Sequence, residues 1–334
     1  MQRLLEQVQF RDPKRAGEEI SQLSEAVPRE VRGRLRSLLA ACPDPDEALH
    51  LLARFSQEHR QYLDRIIELP SGLACLIAVF SHSRFLSEAI MKQPAWFEPA
   101  VESDSLYRIL SSEELERMLD RNLEQESERT PSPLTFALFR RRQLLRILLR
   151  DVMGFGPLVE VAEELSNLAD AILEVTYRRI RAKLVKRHGL PRYADAAGGH
   201  RECGFTVIAL GKLGGRGLNY SSDIDLMFLY SANGETDGPN PISNKEFFIK
   251  LANQCTELLS TYTAEGMCYR VDLRLRPDGR LGEVCISLDG ARNYYRTRGR
   301  DWELQMLIRA RVAAGDRSLG REFLEFVEPL IYTS

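Results

Sequence analysis

Between Phe205 and Tyr230 the chain reads FTVIALGKLGGRGLNYSSDIDLMFLY: an apolar strand, a glycine-rich turn, and a second apolar strand that opens on aspartates at i and i+2. Strand side chains alternate between faces, so Asp223 and Asp225 share one face while Ile224, Leu226 and Phe228 take the other. The spacing predicts a sheet with one buried face and one that carries two carboxylates. Adjacent carboxylates repel unless a cation sits between them. Hard oxygen ligands suit Mg2+, whose remaining positions go to water and phosphate oxygens. The chemistry this points to is metal-assisted phosphoryl or nucleotidyl transfer.

Downstream, Met267 to Pro277 reads MCYRVDLRLRP, where Tyr269, Val271, Leu273 and Leu275 alternate with Arg270, Asp272, Arg274 and Arg276. Period two again predicts a strand. Its polar face presents one acid among three arginines, and guanidiniums aimed at one spot suit the oxygens of a polyphosphate. Asp272 is the expected third metal ligand. A two-metal site needs such a set, one ion activating the attacking oxygen and the other holding the leaving group. A single edge strand with a charged solvent face would look the same; two such strands in one chain favour the site. Gly211, Lys212, Gly214 and Gly215 are candidates for close backbone approach to a nucleotide phosphate. Ser221 and Ser222 bond that phosphate or shape the turn, and the residues alone leave both readings open. Arg309 and Arg311 either hold phosphate or pair with Asp301, Glu303 or Asp316. The histidines show no metal spacing and lie outside these motifs.

Gly214 and Gly215, seven residues, then Asp223-Ile224-Asp225-Leu226 with a later strand aspartate resemble the signature of the DNA polymerase β-like nucleotidyltransferase superfamily. The strings GKLGG, LNYSSDIDL, YRVDLRLRP, and GRDWE followed by RARVAAGD resemble the glutamine synthetase adenylyltransferase/adenylyl-removing family within it. The segments FSHSRFLSEAIMKQP and RRRQLLRILLRD extend the resemblance upstream, to that family's amino-terminal, adenylyl-removing half. The resemblance implies an α+β fold: a helical region over 1–200, a nucleotidyltransferase-like catalytic domain over 201–315 with a small mixed sheet, and the start of a further helical segment over 316–334. It implies phosphorolysis of adenylyl-tyrosine on glutamine synthetase, with ADP released. Mg2+ would sit on Asp223, Asp225 and Asp272, and Arg270, Arg274 or Arg276 would hold phosphate. The implied partners are adenylylated glutamine synthetase, phosphate, adenine nucleotide and a PII signal protein. Other readings are a nucleotidyltransferase acting on another protein or hydroxylated molecule, and a binding module for glutamine synthetase or PII. Two departures stand out. Gly217 lies where the family commonly has an acid, and the chain stops at Ser334, where the family continues into a second catalytic half; a fragment or truncated product is therefore expected.

The 46 basic and 48 acidic residues leave a net charge of −2, which provides no field for a nucleic acid partner. Six scattered cysteines without a CxxC pair read as thiols of a reduced compartment. The apolar run Leu73 to Phe80 is too short to span a bilayer, and no signal peptide is visible, so a cytoplasmic location is expected. The first half reads as helices: Asp44-Pro45 and Ser71 open two of them, Ser132-Pro133 a third, and Val161, Leu165, Leu168, Ile172 and Val175 form one apolar stripe. Arg178 to Arg187 reads as a solvated helix end, and the arginines from Arg140 to Arg150 as stems covering a core edge. Tyr193 to Glu202, with small residues at Ala196 to Gly199, reads as a linker. Ser243 to Glu246 reads as a capping box before a helix.

Overall fold

Where the apolar periodicity is helical, the described residues form helices up to His188; where it becomes alternating, strands begin. The computed structural model describes residues 8–125, 132–195 and 198–333. They form two units, residues 1–109 with 141–161 and residues 110–140 with 162–334.

The first unit consists of short helices. Pro45–Glu58 starts as its sequence dictates: Pro45 occupies the first turn and the Asp44 carboxylate accepts the Glu47 N–H at 3.2 Å. Gly72–His82 buries Leu73, Leu76, Ile77 and Phe80, but the expected Ser71 side-chain cap is missing. Ser71 sits at φ −111°, ψ 0°, outside the extended conformation that aims a capping hydroxyl at the first amides. The arginine cluster also differs from expectation. Arg141, Arg146 and Arg150 are buried whole, heads included. Arg141 lies over the Phe85 ring at 4.3 Å, Arg146 donates to the Ser105 carbonyl at 2.8 Å, and Arg150 pairs with Glu160 at 2.9 Å.

Among the described residues eight strands follow: β1 (Pro191–Ala194), β2 (His200–Glu202), β3 (Phe205–Ala209), β4 (Ile224–Tyr230), β5 (Glu235–Thr236), β6 (Val271–Asp272), β7 (Cys285–Ser287) and β8 (Arg311–Gly315). The stretch read as a linker is instead a hairpin: β1 pairs antiparallel with β2 on one edge and with β5 on the other. Asp195 makes it possible, since its carboxylate accepts the Gly199 N–H at 2.7 Å and closes the turn. Residues 196 and 197 of that turn lie outside the described residues. The larger sheet runs β6-β4-β3-β8, with β7 also on β4; β3 is antiparallel to β4 and β8, whereas β6 and β7 are parallel to β4. The fold is α+β.

Both faces of the central strands are covered. Phe205 and Phe228 point to one side, where the Phe205 ring stacks on Phe228, on Tyr177 of the long helix Leu158–His188 and on Phe248 of the helix Asn244–Ser260, with ring centroids 5.4 to 5.7 Å apart. The second of these helices is capped by the Ser243 hydroxyl, which accepts the Glu246 N–H at 3.2 Å, while the Glu246 carboxylate pairs with Lys250 at 3.2 Å, so half of the expected capping box is formed. Ile208, Met227 and Leu229 point to the other side, into a core with Leu288, Tyr295, Leu304 and Phe323 from the helices Leu288–Thr297, Asp301–Leu307 and Arg317–Thr333. The expected one-sided sheet is thus buried on both faces, because three carboxyl-terminal helices roof the second face. The basic residues expected at a solvated helix end are in part tied down: Arg178 and Arg179 reach Asp120 at 2.9 and 2.8 Å. Five of the six cysteines are buried, and all six are free thiols. No described helix is long and apolar enough to cross a membrane.

Phe205 is wholly buried among three stacked rings. Phe205→Ala is expected to cost about 3–5 kcal/mol. Chemical denaturation should show the loss in the transition that reports the sheet-bearing unit; a variant as stable as the parent would contradict this packing.

Candidate active site

The acidic face sits where the roof over β4 ends. Asp225 and Asp272 are Cα partners in the parallel β4/β6 ladder, so their side chains leave the sheet on the same face, the one that carries Met227 and Leu229 further along β4. Asp223 lies two residues before Asp225, just ahead of the strand. Asp225 and Asp272 therefore share one end of one sheet face, and Asp223 lines the same cleft as Asp272.

The arginine-rich segment does not continue as a strand. β6 ends at Asp272 because the Asp272 carboxylate accepts the Arg274 N–H at 2.8 Å and turns the chain away from the ladder. The arginines then divide into distinct roles that alternation did not anticipate. Arg270 forks onto both oxygens of Asp223, at 2.5 Å each. Arg274 takes both oxygens of Asp272, its Nε donating at 3.0 and 2.8 Å. Arg276 turns inward and donates to the carbonyls of Leu273 at 2.7 Å and Gly282 at 3.1 Å, so it braces the loop. Arg280 in the following turn joins Arg270, Arg274, Arg276, Asp223 and Asp272 in lining an open cleft of about 580 Å³. Sequence reasoning missed Arg280 because its reading of the basic face stopped at Pro277; the turn Pro277-Asp278-Gly279, with Asp278 and Gly279 at positive φ, brings the chain back.

Asp225 differs from its neighbours. No described residue donates a hydrogen bond to its carboxylate. Partial burial pushes its pKa up, and the nearby Asp272 and Asp223 charges add to the rise against the pull of Arg274 and Lys212. Asp272 moves the other way, held below the usual carboxylate range chiefly by its hydrogen bonds from Arg274.

The GKLGG segment is a single helical turn, Gly211–Gly214. Gly211 has φ +54°, and a Cβ there would lie 2.4 Å from Oδ2 of Asp225, so only glycine leaves room beside that carboxylate. A Cβ at Gly214 would meet the Arg309 carbonyl at 2.4 Å, which makes this glycine a packing requirement. The N–H groups of Gly214 and Gly215 bond the carbonyls of Leu210 and Gly211 at 2.9 and 3.2 Å and so face the turn itself. Ser222 shapes the following turn, its hydroxyl bonded to Asn219 Oδ1 at 2.6 Å. Lys212 is exposed. Arg311 pairs with neither Asp301, Glu303 nor Asp316: it reaches Asp170 of the long helix at 2.6 and 2.9 Å and the Leu213 carbonyl at 3.0 Å, pinning the glycine turn to that helix. At Gly217 the nearest atoms to an added Cβ are 3.9 Å away, so a side chain would fit, and its N–H closes the turn on the Lys212 carbonyl at 2.8 Å.

As the side chains stand, no three acidic, histidine or cysteine groups among the described residues form a ready ligand cluster. Two of the three aspartates are turned into guanidinium forks. The donors themselves suit a divalent cation: hard oxygens gathered at one end of the β4/β6 ladder, a middle carboxylate to which no described residue donates, and a glycine that keeps its approach clear.

Residues 73–326 match the family described as glutamate-ammonia ligase adenylyltransferase. Among similar proteins, the bifunctional glutamine synthetase adenylyltransferase/adenylyl-removing enzyme of Thioalkalivibrio sulfidiphilus is 37% identical over 257 residues, which cover 77% of this chain and 26% of the relative. The protein of that description from Nitrosococcus oceani is 36% identical over 283 residues, covering 84% of this chain and 29% of the relative. The chain thus spans less than a third of the length of these curated relatives.

The two carboxylates with opposite shifts make opposite pH predictions. Because the folded state raises the pKa of Asp225, its ionised form opposes folding, and the penalty grows as pH rises from the unfolded value of about 3.9 through the folded one. Asp225→Asn is expected to raise the melting temperature at pH 7 by roughly 1–2 °C, a solvent-screened effect on the order of 0.5 kcal/mol, with the gain vanishing below about pH 4. The Asp272 contribution is present above its unfolded value and lost as pH falls through its lowered folded one, so Asp272→Asn should melt lower than the parent at pH 7. Thermal melts across pH 3–8 check both signs.

Proposed function

Because the chain belongs to the glutamate-ammonia ligase adenylyltransferase family, we propose that it carries an adenylyl-removing activity on glutamine synthetase. An oxygen of inorganic phosphate attacks the phosphorus of an adenylylated tyrosine. The bond from that phosphorus to the tyrosine oxygen breaks, the tyrosine oxygen takes up a proton, and ADP departs. The observation that carries this reading is the meeting, in one open cleft, of carboxylates from the β4/β6 end with several guanidiniums. The resemblance of the Phe80 to Pro94 segment to the adenylyl-removing half supports this direction over adenylylation.

A divalent cation held by Asp223, Asp225 and Asp272 would neutralise phosphate oxygens as charge develops between attacking and leaving groups. The chain's own residues do the rest by position. Arg270, Arg274 and Arg280 present donors to the anions in the cleft, and Arg276 holds the loop that carries Arg280. The Gly211 turn leaves the Asp225 carboxylate accessible, and Arg311 with Asp170 keeps that turn in place. Phosphate as nucleophile needs no general base as strong as water would, because it already carries charge at neutral pH.

A second reading, a binding module for glutamine synthetase or a PII signal protein, is favoured by the engagement of Asp223 and Asp272 with arginines and by Gly217. Incubation with adenylylated glutamine synthetase, Mg2+ and labelled phosphate separates the two. The label is expected in the β position of ADP, with none formed when phosphate is omitted; free AMP would mean that water attacks, and no nucleotide release from a folded protein would favour the binding module. Asp225→Asn should lower ADP release by roughly 10²–10³-fold, the equivalent of several kcal/mol of lost charge stabilisation.

A further inference from the structure

Arg270 and Arg274 occupy the carboxylate oxygens that a cation would use. The Arg270 fork takes Oδ1 and Oδ2 of Asp223, and Arg274 takes both oxygens of Asp272 while its own backbone N–H adds a bond to Oδ1. To the middle carboxylate, Asp225, none of the described residues donates. The arginine side chains are exposed, at 71% and 61%, whereas their partners Asp223 and Asp272 are 28% and 12% exposed, so solvent can replace the carboxylates around the guanidiniums more readily than around the aspartates. Three carboxylates and two guanidiniums leave this cluster with one negative charge. Adding a divalent cation while both guanidiniums stay would make it positive, with like charges crowded at the mouth of a cleft that Arg280 also lines. A phosphate anion removes that excess and offers the forks an acceptor of the same geometry as the carboxylates they leave.

We propose that Arg270 and Arg274 are exchangeable counter-ions that couple the two ligands of this cleft: they hold Asp223 and Asp272 while the cleft is empty, and pass to the phosphate oxygens when a divalent cation takes the carboxylates. Cation and anion then bind with positive cooperativity, and by linkage each tightens the other by the same factor. In this scheme the arginines offset the charge of the outer aspartates, and neither ligand alone frees all of the carboxylate oxygens. This inference rests on the metal-assisted reading of the site and adds to it a thermodynamic order that activity alone does not report.

The test uses the whole chain, with Mn2+ as the metal probe and inorganic phosphate as the anion probe, the latter kept below concentrations that complex free manganese. Manganese affinity is read by titration calorimetry or by the electron paramagnetic resonance of the free ion. In the parent, phosphate is expected to tighten manganese by about 5–150-fold, the usual range for coupled sites. In Arg270→Ala and Arg274→Ala, manganese alone should bind more tightly than to the parent, and the phosphate effect should shrink several-fold. Arg274→Lys, which keeps the charge but not the fork, should fall between. Circular dichroism and melting curves establish that each variant is folded. Equal manganese affinity in parent and alanine variants, or a parent whose manganese affinity phosphate leaves unchanged or weakens, would overturn the coupling. Asp225→Asn keeps the two failures apart. If the parent binds manganese and this variant does not, the metal reading stands whatever the arginine variants show; if the parent binds none, with or without phosphate, the metal reading fails and the coupling with it.

Discussion

A strand buried on both faces cannot hold carboxylates along its length, and this constraint organises the sheet-bearing unit. Along β4, Leu226 to Tyr230 are enclosed, one side by the stacked rings of Phe205, Phe228 and Phe248, the other by the helices that bring Leu288, Tyr295 and Phe323. An ionised side chain inside either layer would cost several kcal/mol. Acids are tolerated only at the strand's first end, where the roof stops, and there Asp225 and Asp272 stand side by side. The position of the candidate site thus follows from where the apolar cover ends.

Holding like charges together has its own cost, and the structure offsets it locally. Guanidinium forks neutralise the two outer aspartates, while Asp225 is left to bear partial burial and the repulsion of both neighbours, hence its upward shift. A carboxyl placed where burial and like charges disfavour its charged form is a common mark of a functional site. The turn beside it is anchored by separate contacts. Arg311 joins β8, the long helix through Asp170 and the turn through the Leu213 carbonyl, and Arg216 adds a bond to Asn167 of that helix at 2.9 Å. The long helix therefore serves the site from the opposite face of the sheet, without contributing a group to the cleft.

The arginines show how residues of one type, evenly spaced, come to do different work. Arg270, Arg274 and Arg276 alternate in sequence, but one pairs with Asp223, one with Asp272, and one braces carbonyls of the loop that presents Arg280. What separates them is the Asp272 side chain, which ends the strand by bonding the Arg274 N–H. A carboxylate two residues before a backbone donor competes with the ladder for it, and here the local bond prevails.

Local patterns are legible along the chain: the apolar strands at Phe205 and Ile224, the glycine turn between them, the caps at Asp44 and Ser243, the long helix with its apolar stripe, and the placement of Asp225 opposite Ile224 and Leu226. Each of these depends on neighbours within a few residues, where backbone geometry alone sets which side chains meet. Long-range packing set Asp272 beside Asp225, paired β1 with β2 and β5, roofed the second sheet face, and brought Arg311 to Asp170 rather than to the acids nearer in sequence. Those outcomes turn on strand register and helix docking across tens to over a hundred residues. Such pairings are chosen by which surfaces bury together, and no spacing along one segment encodes them.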